Sequence, residues 1–320
     1  MFKPQTARRI TRAAFFMLYA LAPVFDLLRF DLNSHQFYFL RYPVHLGIDA
    51  FRWWEINTFD MLINFAEIIF FPVAIFIAIG AFISWRWGLI YCGWFCPHES
   101  VVEIVNHLMR RASGKITVWD RKILPETQLD GTHIKPEKKW WWVTGIVIVL
   151  LAFIWAITLL SYLLPPAEVY SNLIHLSFTR NQTLFLAITT TLFSLEFTFA
   201  RHLFCRFGCS LGLFQSLLWM LNKKALVVGF DRSRVKECAD CDKSCEIACP
   251  IKLKPRAIKR KMYSCSQCLR CIDACTSVQI NTKVHDIPLL QMLDGNCALD
   301  KSARDFGKKI AVPDNCYRKP

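Results

Sequence analysis

Four long apolar runs, separated by polar and mostly basic segments, fill the first two thirds of the chain, at about residues 13–28, 61–85, 140–164 and 183–204. Each approaches or exceeds the roughly 20 residues that a helix needs to cross a bilayer. The pattern predicts four membrane spans. Trp140-Trp141-Trp142 opens the third as an aromatic anchor, and Pro165-Pro166 stops it. Residues 31–58 are mixed and aromatic (Phe37, Tyr38, Phe39, Tyr42, Phe51, Trp53, Trp54), as suits a membrane–water interface. The first run follows Lys3, Arg8, Arg9 and Arg12 with no acid between them, and Ala20-Leu21-Ala22 has the small residues of a signal cleavage site. Pro23 directly after that site, and apolar character beyond it, favour a retained span.

A shorter amphipathic helix is expected after the second run, over 101–109 and ahead of Arg110-Arg111. Another is expected after the fourth, over 211–221 and ahead of Lys223-Lys224. Cys92-Gly-Trp-Phe-Cys96-Pro-His precedes the first, and Cys205-Arg-Phe-Gly-Cys209-Ser-Leu precedes the second. Matched positions (92 and 205, 96 and 209, 110 and 223) are all 113 residues apart. The membrane part therefore reads as a duplicated two-span unit with a pseudo-two-fold axis along the membrane normal. Cysteines four apart share one face of a helix. Symmetric packing would bring Cys92, Cys96, Cys205 and Cys209 together at the membrane edge, fit for a further cluster or a soft metal such as Cu(I). Buried packing cysteines are the alternative. His98 and His202 flank the two pairs, as ligands, proton carriers or satisfied structural histidines. Glu67 and Glu196 lie within spans, where a carboxylate is costly and often serves proton or quinol chemistry.

Composition agrees with a membrane protein: of 320 residues 54% are hydrophobic, mean hydropathy is +0.28 and net charge is +14. The expected outer segments hold Arg29, Arg41, Arg52 and Arg180, only four of the 39 Lys and Arg, which puts both termini in the cytoplasm. Basic residues beside spans meet anionic lipid, so the charge asks for no nucleic-acid partner. After Arg201 the chain becomes polar and basic and holds twelve of the fourteen cysteines.

Eight of those cysteines form two quartets, Cys238, Cys241, Cys245 and Cys249, then Cys265, Cys268, Cys271 and Cys275. The spacing is that of a two-cluster bacterial ferredoxin, in which the fourth thiolate of each group ligates the other group's cluster. One [4Fe-4S] cluster is expected on Cys238, Cys241, Cys245 and Cys275, and the other on Cys265, Cys268, Cys271 and Cys249. Zinc needs only pairs of cysteines, and disulfide-rich chains are short and less apolar. Two irregularities stand out. The first quartet has an extra residue before Cys245, and Thr276 replaces a second proline. Cys297 and Cys316 sit at no ligand spacing and read as free thiols. No haem-attachment, phosphate-cradling or dinucleotide motif is present, so NAD and ATP chemistry have no support.

The fold expected is a mainly α membrane protein of four transmembrane helices (residues 1–224), with a cytoplasmic α+β two-cluster ferredoxin module (225–280) and a C-terminal tail (281–320). The paired Cys-x-x-x-Cys motifs joined to a two-cluster ferredoxin resemble the membrane-bound polyferredoxin family, of NapH, NosR and CcoG/FixG type. That resemblance implies electron transfer at the bacterial inner membrane, from quinol or a cytoplasmic donor to a partner redox or metal centre. Its CcoG/FixG branch implies copper reduction for assembly of a cbb3-type oxidase, and a third possibility is an iron–sulfur scaffold subunit of a larger membrane complex. Ser210 departs from the family by replacing the second motif's proline.

Overall fold

The computed structural model describes residues 4–32, 36–44, 59, 63, 66–231, 234–239, 241–257, 259–282 and 287–295. Cys297 and Cys316 lie outside them. The described chain forms two compact units, one of residues 14–81 and 147–197, the other of 1–13, 82–146 and 198–320.

The first unit is built around α5 (Trp140–Leu163), which extends into it from residue 147. Ala156, Ile157 and Leu160 pack with Val169 of α6 (Pro166–His175) and Leu186 of α7 (Arg180–Leu195). Tyr19, on α1 (Pro4–Leu21), packs against Trp155 with ring centroids 5.1 Å apart and accepts a 2.9 Å hydrogen bond at its carbonyl from Tyr162. Thr179 caps α7 reciprocally with Gln182, which is why that helix starts where it does. The first apolar run differs from its expected shape. Its helix begins earlier, at Pro4, and ends at Leu21, and Leu28–Asp31 is a strand (β1) in an antiparallel sheet with β2 (Gln36–Phe39) and β3 (Tyr42–Val44). Pro23 and the left-handed Asp26 end the helix, and Arg29 then fixes the turn by pairing with Asp26 and with Asp31.

The second apolar run continues as a π turn (Ala66–Phe70) into α2 (Phe71–Trp87). Among the described residues two helices, Trp140–Leu163 and Arg180–Ala200, are long and apolar enough to cross a membrane, and α2 is a shorter apolar helix. All three turn large apolar side chains outward, for example Phe76, Ile79, Ile146, Leu150, Leu184 and Leu192. Such surfaces suit an apolar solvent better than water.

The second unit carries the cysteines. α3 (Ile90–Trp94) and α4 (Pro97–Ser113) follow the second run, and a π turn (Phe204–Gly208) and α8 (Ser210–Leu221) follow the fourth. β4 (Val227–Phe230) then pairs antiparallel with β5 (Leu290–Leu293), so residues expected as tail instead close a two-stranded ribbon. Between those strands lie α9 (Ser244–Ile247) and α10 (Arg270–Asn281). The core beneath the ribbon is Val228, Phe230, Leu253, Met262, Leu289 and Leu290, packed against the ferredoxin cysteines.

Candidate iron–sulfur centre

Each cysteine loop has a left-handed residue directly before a helix, and the second loop has another at Gln267 (φ 50°). Lys243 (φ 63°) precedes α9, which carries Cys245, and Leu269 (φ 62°) precedes α10, which carries Cys271 and Cys275. A non-glycine residue in this region costs of order 1–3 kcal/mol and persists only where its surroundings demand it. The demand here is to turn the loop so that its thiols share one cavity.

The two irregular positions now have physical reasons. Asp242 is the inserted residue. It accepts hydrogen bonds from the Ser244 backbone (2.9 Å) and from the Leu129 backbone (3.0 Å), and so both starts α9 and ties the loop to residue 129. Thr276 lies inside α10, where a proline would remove a hydrogen bond, and its hydroxyl donates to the Ile272 carbonyl at 2.9 Å.

Two cavities sort the eight thiols. One, of about 340 Å³, is lined by Cys238, Cys241, Cys245 and Cys275, with Lys236, Glu237 and Arg256 at its rim. The other is narrower and is lined by Cys265, Cys268, Cys271 and Cys249. These are the crossed sets. The thiols' mutual fields largely follow the same division, with Cys245 also acting on Cys271. Burial pushes Cys265 up to about 12, with Cys268 and Cys249 adding to it, and burial followed by Cys268 pushes Cys249 up to about 11. Burial likewise raises Cys245 to about 12, against Arg256 and with Cys275, Cys241 and Cys238. Thiols so placed stay protonated unless a cation compensates them, and thiolate-bound iron supplies that compensation. The twelve described cysteines are all free of disulfides. The donor set therefore fits iron–sulfur clusters.

Arg256 donates to Cys238 Sγ at 3.5 Å and pairs with Glu246 at 2.6 Å. The second quartet's loop instead meets the first Cys-x-x-x-Cys motif. Trp94 Nε1 donates to the Gln267 carbonyl at 3.2 Å, and a Cβ added to Gly93 would lie 2.0 Å from the Ser266 carbonyl oxygen. Glycine is the residue that permits this approach. Arg206 of the second motif donates to the Tyr263 hydroxyl at 2.6 Å. Both halves of the repeat thus dock on the same ferredoxin loop.

The motifs themselves differ from the one-face expectation. The helix breaks at Phe95, and Cys96 and Cys209 each stand at the N-cap of the following helix in extended backbone (ψ 118° and 110°). Burial, then Cys96, Glu99 and Cys209, raises the Cys92 thiol, whose Sγ lies 3.8 Å from Gln215 Oε1. Cys205 has a different neighbourhood. Its Sγ is 3.4 Å from His98 Nδ1, and it lies with Glu99 and His202 in a group whose ligand atoms are within 4.8 Å of one another. Arg201, buried and left-handed (φ 40°), donates to Asn106 Oδ1 at 3.0 Å, so the Asn106 amide faces His202 Nε2 at 2.9 Å. The His202 proton is accordingly assigned to Nδ1, which lies 3.4 Å from Glu99 Oε2. Glu99, Asn106 and Gln215 were not legible as site residues, being polar positions on otherwise ordinary amphipathic helices. Glu67 stands exposed in the π turn before α2, and Glu196 is half-buried at the C-cap of α7.

A family model described as a 4Fe-4S binding domain matches residues 69–116 and 182–227, the two halves of the repeat. The chain is 24% identical over 194 residues to "Putative electron transport protein YccM" of Escherichia coli (58% of this chain, 48% of that one). It is 22% identical over 197 residues to "Ferredoxin-type protein NapH" of the same organism (58% and 59%), and 27% identical over 235 residues to "Regulatory protein NosR" of Pseudomonas aeruginosa (71% and 28%). The chain spans about half the length of the first of these relatives and less than a third of the last. No solved structure matches it. With a 4Fe-4S family match on both halves of its repeat and eight free thiols gathered in two crossed quartets, the chain is similar to polyferredoxin-type iron–sulfur proteins.

Proposed function

We propose that this chain is a membrane-anchored electron relay holding two [4Fe-4S] clusters, one on Cys238, Cys241, Cys245 and Cys275 and one on Cys249, Cys265, Cys268 and Cys271. The observation that carries this reading is the sorting of eight thiols into two cavities by the crossed rule. When bound, each cluster accepts and returns one electron with little change of shape. The protein's own groups do the rest. The quartets exclude water from the buried sulfurs, and Arg256 offers Cys238 a charged donor. The first Cys-x-x-x-Cys loop holds the second quartet against the membrane edge through Trp94 and Gly93.

Four spans, two per repeat, with both termini in the cytoplasm remain the preferred topology, supported by the outward apolar faces and the placement of basic residues. The anchor lies within residues 1–224, and the ferredoxin module runs from 225 through the strand Leu290–Leu293. In this arrangement electrons from quinol or a cytoplasmic donor pass through the two clusters to a redox partner. The names of YccM and NapH, an electron transport protein and a ferredoxin-type protein, favour the same class of activity. Copper transfer would use Cys92, Cys96, Cys205 and Cys209 as one donor set. Cys205 lies against His98 instead, which favours the relay. The test is reduction by quinol of the anaerobically purified chain in proteoliposomes. Bleaching of the iron–sulfur absorbance supports the relay. Clusters that dithionite reduces and no quinol reduces, with or without membranes of the source cell, would remove quinol as the donor.

A further inference from the structure

The basic N-terminal segment reads in sequence as a topology signal, yet the structure buries two of its arginines. Arg8 is 2% exposed and Arg12 is 5% exposed. Arg8 Nε donates to the Gly93 carbonyl at 2.7 Å, and one turn earlier Gln5 Nε2 donates to the Cys268 carbonyl at 2.8 Å. Both arginines converge on one carboxylate, Glu103 of α4, at 2.5 Å and 2.6 Å. Arg270, which stands between Leu269 and Cys271 in the second quartet's loop, reaches the same carboxylate at 3.6 Å. Three guanidinium groups therefore share Glu103. Glu99 also acts on Arg8, so among the described residues this group gathers three cations and two acids. The first quartet is different. Its two guanidinium groups are matched one to one, Arg256 with Glu246 and Arg234 with Glu237, and the third cation at its cavity, Lys236, is exposed to solvent.

We infer that Arg8, Arg12, Arg270 and Glu103 form an electrostatic node that sets the potential of the second quartet's cluster above that of the first. The inference rests on the proposed ligation of that cluster by Cys249, Cys265, Cys268 and Cys271. The physical reason is charge. Reduction adds one negative charge to the cluster, and an excess of cations nearby favours the reduced form, most weakly screened at the buried Arg8 and Arg12 and more strongly at the part-exposed Arg270. Gln5 and Arg8 are positioning residues in this account. They hold the cationic helix against the Cys268 backbone and touch no substrate.

The test is a redox titration of the full-length, anaerobically purified protein, followed by EPR, with Cys268→Ser used to assign the second cluster's signal. Arg8→Gln is expected to lower that cluster's reduced fraction about tenfold at a fixed ambient potential, which is about 59 mV for one electron. Glu103→Gln is expected to shift it in the opposite direction, and Arg8→Lys to restore most of the original value. The first cluster's midpoint should stay in place throughout. A purely structural role would move the Arg8→Gln and Glu103→Gln variants the same way, and that result overturns the inference. Unchanged midpoints in both variants, with full iron content, overturn it equally. Should Arg8→Gln lose iron, Arg12→Gln and Glu103→Gln carry the same opposed prediction. Absence of a second-cluster signal in the unaltered protein would instead refute the ligation itself.

Discussion

The two cysteine quartets are built to one plan and finished in opposite ways. The first surrounds a cavity of about 340 Å³ open to exposed Lys236, and its arginines are neutralised singly. The second is narrow, lies under Trp94 and Gly93, and has three arginines gathered around one carboxylate. Under the proposed relay, the difference would separate two tasks, with the first centre open at an exposed lysine and the second held beneath the first Cys-x-x-x-Cys motif.

The largest way to break the comparison is through the ligands. Cys268→Ser should remove about half of the iron and one EPR signal, and Cys238→Ser should remove the other half. Loss of all iron from either variant would mean that the quartets form one cooperative unit, a result readable from iron analysis and gel filtration together. Next in size is Thr276→Pro, which inserts a proline into the interior of α10 and should cost about 3 kcal/mol or more. Denaturant unfolding of the anaerobic protein measures it. Gly93→Ala forces a Cβ onto the Ser266 carbonyl and should cost about 1–3 kcal/mol. Because that contact belongs to the second quartet only, faster loss of its EPR signal to a chelator, with the first unaffected, is the expected signature.

The smallest effect is that of pH. Burial alone would raise the Glu103 carboxyl, and Arg8, Arg12 and Arg270 outweigh it and hold the group below the usual carboxylate range. A carboxyl depressed in the folded state stabilises fully above its unfolded pKa and loses that contribution as pH falls through the folded one. Docking of the N-terminal helix should therefore weaken only below the ordinary carboxylate range. Hydrogen exchange at residues 5–12 measures this, and Glu103→Gln should abolish the dependence.

Much of this was legible in the sequence because thiolate chemistry fixes spacing. Eight cysteines in two groups, Pro250 after Cys249, and a 113-residue repeat all follow from short-range geometry that a linear pattern records. What the pattern hid was tertiary. Cys92 and Cys96 were expected on one helix face, but a break at Phe95 makes Cys96 a cap. Arg8 and Arg12 look the same in sequence whether they meet lipid head groups or Glu103, since the carboxylate lies some ninety residues away. The strand Leu290–Leu293 escaped for a similar reason, its partner Val227–Phe230 lying across the whole cysteine region.

Eight thiols holding two cubanes would bind a fixed amount of metal, and counting it is the most direct test. Iron and acid-labile sulfide, measured on protein purified without oxygen and paired with EPR of the reduced state, should give about eight of each per chain, with two interacting signals. Four irons, or none, would contradict the account.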